Sequence, residues 1–174
     1  MRGMAFEEII QNACNAYRRL GVALIDKTPE PIKQLGRMDK KGQFKACYQK
    51  QAQVDFKGVM KPGVPIAFEA KITSLERINQ AVVKEWQMDY LMDFDQCGGV
   101  AFILFGLGGK YYRMPAFTWN NMKEIFGRKY IDKKDRKTLE EYEVEFAYHC
   151  GGNDRKSNTV CTYLDFLEGV VSYE

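Results

Sequence analysis

Two carboxylates and a lysine stand at a spacing that suits phosphodiester hydrolysis. Asp55 lies in the apolar run Val54-Asp55-Phe56-Lys57-Gly58; thirteen residues intervene before Glu69, which leads to Lys71 in Ile66-Ala67-Phe68-Glu69-Ala70-Lys71. Strand side chains alternate faces. Ala67, Glu69 and Lys71 therefore share one side of a strand, with Ile66, Phe68, Ala70 and Ile72 on the other, and Asp55 faces opposite Val54 and Phe56. If the two runs pair as a hairpin, Asp55, Glu69 and Lys71 converge. Two carboxylates about 4 Å apart repel by roughly 4 kcal/mol at an effective dielectric of about 20. A dication removes that cost, and hard oxygen ligands select magnesium, with manganese as a substitute, over zinc. Such an ion lowers the pKa of a bound water and neutralises phosphate charge; Lys71 can orient that water or neutralise phosphoryl oxygens. The bland alternative is a surface aspartate and an unrelated Glu-x-Lys on an exposed face.

A third carboxylate belongs to the first helix. Phe6, Ile9, Ile10, Ala13, Tyr17 and Leu20 recur at helical spacing over residues 5–20. At about 100° per residue, Glu7 falls at the edge of that apolar stripe, roughly in line with Cys14, and Glu8 points away. Glu7 is placed either to look inward and complete a metal site or to serve the helix N-terminus by its charge.

The elements that must position these groups follow from pattern. Gly21 stops the first helix, and Val22 to Ile25 reads as a short strand. Thr28-Pro29-Glu30-Pro31 opens a basic, weakly patterned stretch to about residue 50, the kind of long segment that carries function. Strands are expected near 53–60 and 65–72, joined by Lys61-Pro62-Gly63, then a helix over 75–95 with Ile78, Val82, Val83, Trp86 and Leu91 apolar. Gly98-Gly99 ends it before a continuous apolar strand from Val100 to Phe105. Gly108-Gly109 turns the chain into Tyr111 to Met114, and Pro115 suits the start of a helix to about Phe126. Glu141 to Tyr148 alternates like an edge strand, and Val160 to Val171 reads as a helix. This order predicts a single α/β domain over 1–174 with a mixed central sheet.

Composition narrows the function classes. With 174 residues, 45% hydrophobic and 28% charged, the chain has the make-up of an ordinary globular domain. It contains no run of about twenty apolar residues, so no membrane span is expected. Its start reaches Glu7 and Glu8 too early for a secretory apolar segment, which makes the cytoplasm the expected location. Five scattered cysteines without Cys-x-x-Cys spacing argue against a disulfide framework or a zinc knuckle. His149 is the only histidine; a loop or surface role fits it better than metal ligation or base catalysis.

The net charge of +3 hides two cationic segments. Residues 27–50 carry a local balance of +5, and residues 123–137 one of +4, offset by Glu140, Glu141, Glu143 and Glu145. Such segments suit a polyanion. Phosphate contacts are expected from Lys27, Lys33, Arg37, Lys40, Lys41, Lys57, Arg128, Lys129, Lys133 and Lys134.

Taken as an ordered set, these residues resemble the RecU-type Holliday junction resolvases, members of the PD-(D/E)xK nuclease superfamily. The resemblance runs through Arg2-Gly3-Met4-Ala5-Phe6-Glu7, Ala23 to Pro31, Asp55-Phe56-Lys57-Gly58-Val59, Phe68-Glu69-Ala70-Lys71, Trp86-Gln87-Met88 and Gly98-Gly99-Val100-Ala101-Phe102. It implies a restriction-endonuclease-like fold and a magnesium-dependent homodimer that nicks four-way DNA junctions symmetrically. Asp55 and Glu69 would be ligands, Lys71 the catalytic lysine and Gln87 an active-site helper. A protruding basic stalk would correspond to about residues 30–53, although residues 33–50 show little similarity to that part of the family. The alternatives are a nuclease of the same superfamily acting on other DNA, or an inactive DNA-binding accessory protein in recombination.

Overall fold

The computed structural model describes residues 2–48, 53–150 and 160–170. In chain order the elements are α1 (Arg2–Leu20), β1 (Ala23–Lys27), β2 (Ile32–Leu35), β3 (Lys45–Tyr48), β4 (Phe56–Met60), β5 (Val64–Ile72), β6 (Arg77–Asn79), α2 (Glu85–Gln96), β7 (Val100–Leu107), β8 (Lys110–Pro115), α3 (Ala116–Asn120), α4 (Met122–Phe126), β9 (Tyr130–Asp132), α5 (Arg136–Leu139), β10 (Glu143–Val144), β11 (Phe146–Cys150) and β12 (Val160–Leu164). Six strands form the central sheet in the order β1-β4-β5-β7-β8-β10. All its pairings are antiparallel except β5 with β7. The sheet is mixed and flanked by helices, as expected.

The alternation in β5 and β7 sorts side chains into two cores. Ile66, Phe68, Phe102 and Leu104 face α1, where Phe6, Ile10, Ala13 and Tyr17 bury against them. Ala67, Ala101, Ile103 and Phe105 face α2 and the α3–α4 segment, meeting Met88, Leu91, Trp119 and Met122. On the α1 side, Phe56, Phe68 and Phe102 are register partners across three strands. Their rings stack at 4.9 and 4.8 Å between centroids. A slip of one residue would turn every side chain of a strand to the wrong face, so this buried ladder pins the register of β4, β5 and β7. Gly58 makes the β1–β4 contact possible: a Cβ there would lie 2.1 Å from the Leu24 carbonyl oxygen.

The basic stretch is more regular than its sequence pattern. β2 and β3 pair as an antiparallel hairpin in a sheet of their own. Every residue from 29 to 47 is exposed, so the segment protrudes. Its tip closes on Asp39, whose carboxylate accepts the backbone N–H groups of Lys41 and Gln43. The pairing is cross-strand, and no buried stripe marks it in the sequence. Residues 49–52 of the expected stalk lie outside the described residues.

Four other expectations are corrected. The helix expected over 75–95 begins only at Glu85; Arg77–Asn79 is instead a strand paired with Tyr130–Asp132, which buries Ile78. The helix expected from Pro115 starts at Ala116, because Pro115 ends β8, and it breaks at Asn121 into α3 and α4. The strand expected over 141–148 is split at Glu145; β10 takes the predicted edge of the sheet, and β11 pairs with β12. Residues 160–164, expected to be helical, form strand β12 followed by turns. There Val160, Thr162 and Tyr163 favour the pleated surface that β11 offers. Residue 171 lies outside the described residues.

Candidate active site

Asp55 and Glu69 meet where β4 begins to part from β5. β4 starts at Phe56, so Asp55 sits just before the ladder. Phe56 belongs to the α1-side core and Val54 to the other, so the expected alternation stops at this point. Side-chain chemistry replaces the missing ladder. The Asp55 N–H donates to Glu69 Oε2 at 3.1 Å, and Asp55 Oδ2 accepts the Ala70 N–H at 3.0 Å. The Asp55 carbonyl accepts the Thr28 N–H at 2.8 Å. These reciprocal bonds hold the two carboxylates side by side.

Glu69 is fully buried. Its Oε1 accepts two short bonds, from Lys71 Nζ at 2.6 Å and from Gln87 Nε2 at 2.6 Å. Burial, and then the charge of Asp55, push the Glu69 carboxyl up to about 7, against the pull of Lys71. A carboxylate held this way repels its neighbour, and a hard dication is the group that would relieve it. The donor set therefore fits an oxygen-ligated divalent ion. Lys71 lies two residues along the same face of β5, only a quarter exposed.

Gln87 comes from the first turn of α2, which covers this face of the sheet. Its Oε1 accepts the Lys84 N–H at 3.0 Å and caps the helix, which leaves the amide N–H groups to face Glu69. The side chain is buried, so the solvent-facing alternative for Gln87 does not hold.

Glu7 is not brought into this cluster. Its exposed carboxylate lies 2.5 Å from Lys27 Nζ. Helix α1 packs on the opposite side of the sheet from the face that carries Glu69, so Glu7 approaches the site from behind the strands, through Lys27. The Glu7 hydrogen bond raises the Lys27 pKa, and the charges of Glu7, Asp55 and Glu30 add to it. A cation thus stands between Glu7 and the Asp55 side of the site. Among the described residues, no three His, Cys, Asp or Glu groups gather as a metal cluster. His149 lies on β11, and its side chain lies outside what is described.

The expected phosphate contacts fall in three places. Lys33, Arg37, Lys40 and Lys41 are exposed along the β2–β3 hairpin. Lys57 is half-buried on β4, with Nζ 2.7 Å from Gln53 Oε1 and 4.2 Å from the Tyr90 ring centroid. In the third group, Lys129 and Lys134 are exposed, Arg128 pairs with Asp135 and lies over Tyr130, and Lys133 pairs with Glu76. Sequence reasoning missed Tyr90. Its spacing from Gln87, three positions on, puts both on one helical face and was the available signal.

A family model described as "RecU: Recombination protein U" matches residues 1–168. The Holliday junction resolvase RecU of Bacillus pumilus (strain SAFR-032) is 31% identical over 144 residues, 77% of this chain and 69% of that protein. The protein of the same name from Streptococcus pneumoniae (strain P1031) is 30% identical over 155 residues, 84% of this chain and 74% of that one. Among solved structures, the Holliday junction resolvase Hjc of Archaeoglobus fulgidus matches with a TM-score of 0.37 and 11% identity, covering 68% of this chain and 75% of that one.

Proposed function

Because the chain belongs to the Recombination protein U family, we propose that it is a junction-resolving nuclease whose Asp55–Glu69 site hydrolyses phosphodiesters in four-way DNA. The observation that carries this reading is a fully buried glutamate held against a second carboxylate and bonded by a lysine.

Asp55 and Glu69 would hold a divalent cation, magnesium or in its place manganese, which supplies a water of lowered pKa and neutralises charge on the phosphate. The chain's own groups do the rest. Lys71 orients the attacking water, whose oxygen bonds to phosphorus as the bond to the leaving sugar oxygen breaks, and it neutralises a phosphoryl oxygen. Gln87 fixes the direction of Glu69 Oε1. The apolar layer of Phe56, Phe68 and Phe102 keeps the strands in register behind the carboxylates.

The β2–β3 hairpin is the reading's junction-selective element, a stalk that enters the branch point while the rest of residues 1–174 acts as one nuclease domain. Two copies of the chain would make the paired nicks, so the working form is a homodimer. On this reading the protein would work in the cytoplasm, on recombining DNA. No helix among the described residues is long and apolar enough to cross a membrane.

The test is cleavage of a mobile four-way junction and of linear duplex of the same sequence, with magnesium, with manganese and with chelator. Metal-dependent cleavage confined to the junction is expected, and Asp55→Asn or Glu69→Gln should abolish it while junction binding persists. Undiminished cleavage by either variant would remove the site assignment. Equal cleavage of linear duplex would leave a nuclease with a different substrate.

A further inference from the structure

Two cations beside the carboxylates are already paired, Lys71 with Glu69 and Lys27 with Glu7. Lys57 differs. It is half-buried, yet among the described residues its ammonium forms no ion pair; it is held by the neutral Gln53 side chain and by the face of Tyr90. Cation–π attraction of this kind fixes a lysine without cancelling its charge.

Its place is equally specific. Lys57 is two residues beyond Asp55, and its register partner Ala67 is two residues before Glu69. Ala67 belongs to the α2-side core, and its small side chain lets Lys57 reach across to α2, where Tyr90 lies one turn beyond Gln87. One pleat repeat, roughly 6.6 Å, separates the Lys57 row from the carboxylates. A strand that brings its scissile phosphodiester to Asp55 and Glu69 therefore carries a neighbouring phosphate past Lys57.

We propose that Lys57 binds the backbone phosphate next to the scissile one, and that Tyr90 is the positioning residue that holds its ammonium there. This rests on the nuclease reading above, and it assigns Lys57 a role separate from that of Lys71. Lys71 works at the reacting phosphate from its bond to Glu69. Lys57 sets which phosphate of the strand arrives there.

The test uses the full chain with a four-way junction. Binding is read by fluorescence anisotropy in chelator across a salt series, and cleavage kinetics are read in magnesium. Lys57→Met should weaken binding roughly tenfold and reduce the slope of log affinity against log salt by about 0.9, the loss of one phosphate contact. KM should rise more than kcat falls. Lys57→Arg should restore the slope. Tyr90→Leu, which keeps the lysine, should give a smaller loss, and the double variant should bind no more weakly than Lys57→Met alone, because Tyr90 acts through Lys57. A merely structural role would lower the melting temperature and leave the salt slope unchanged. A wild-type slope and KM in Lys57→Met, or additive losses in the double variant, would overturn the proposal. Absence of cleavage by the unsubstituted protein would instead remove the nuclease reading, while the salt series would still report on Lys57.

Discussion

Gln87 joins a helix end to a buried carboxylate: its carbonyl oxygen caps α2 through the Lys84 N–H, and its amide donates 2.6 Å to Glu69 Oε1. The first bond dictates the second, because an amide whose oxygen is committed can only present N–H groups on its other side. Gln87→Leu should therefore cost twice. Loss of the cap should cost about 1 kcal/mol of stability, and loss of the donor to a ligand should reduce metal affinity or activity by roughly 10- to 100-fold. Magnesium titration of the cleavage rate, read beside a melting curve, separates the two. An unchanged half-saturating magnesium concentration would show that Gln87 does not steer Glu69.

The raised Glu69 pKa predicts how the metal-free protein responds to pH. The folded state holds the proton to about 7, against an ordinary value of 4.5. Below the ordinary value both states are protonated and the group is neutral towards stability. As pH rises from there to about 7, the unfolded chain ionises first, so folding stability falls by an amount on the order of 3 kcal/mol and then levels. The melting temperature in chelator should drop across that window. Magnesium should restore it, more at pH 8 than at pH 5.5. A melting temperature that does not fall with pH in chelator would contradict the buried, carboxylate-opposed environment.

Gly58 is expected to tolerate no side chain. The nearest obstacle to a Cβ is backbone, the Leu24 carbonyl oxygen, with the Ile25 Cα at 2.7 Å. Gly58→Ala should push β1 from β4 and destabilise the fold by about 1–3 kcal/mol or more, measured by urea unfolding. Wild-type stability would mean that the two strands separate easily.

Substrate selectivity should reside in the hairpin. Since, among the described residues, β2 and β3 pair only with each other, replacing Ile32–Tyr48 by a short Gly-Ser linker should leave the central sheet folded. Metal-dependent nicking of DNA should survive while the preference for a four-way junction over linear duplex is lost. Retained preference would move the selective element elsewhere, to the basic residues around Arg128 and Lys134.

The pairing of Asp55 with Glu69 was legible because it is a local feature. Alternation along 66–72 assigns Glu69 and Lys71 to one face, and the Pro62-Gly63 turn returns the chain in register. The buried strand at Val100 and the glycines that bracket it were equally plain. Position on α1 did place Glu7 at the edge of a stripe, but a helical stripe says only which side faces some core. It cannot say that this core lies behind the sheet, away from Glu69.

Residue order thus determined the elements whose own periodicity carries the information: α1, β5, β7 and the carboxylate–lysine spacing between strands. Tertiary structure decided what depends on partners distant in the chain. The stack of Phe56, Phe68 and Phe102 sets the strand register, α2 delivers Gln87 to Glu69, and Val160–Leu164 becomes a strand because Phe146–Cys150 offers it an edge. Local propensity is worth tenths of a kcal/mol per residue, about 0.7 at most for ordinary residues. Burying a large apolar side chain is worth about 1.5–3 kcal/mol, so where the two disagree the packing prevails.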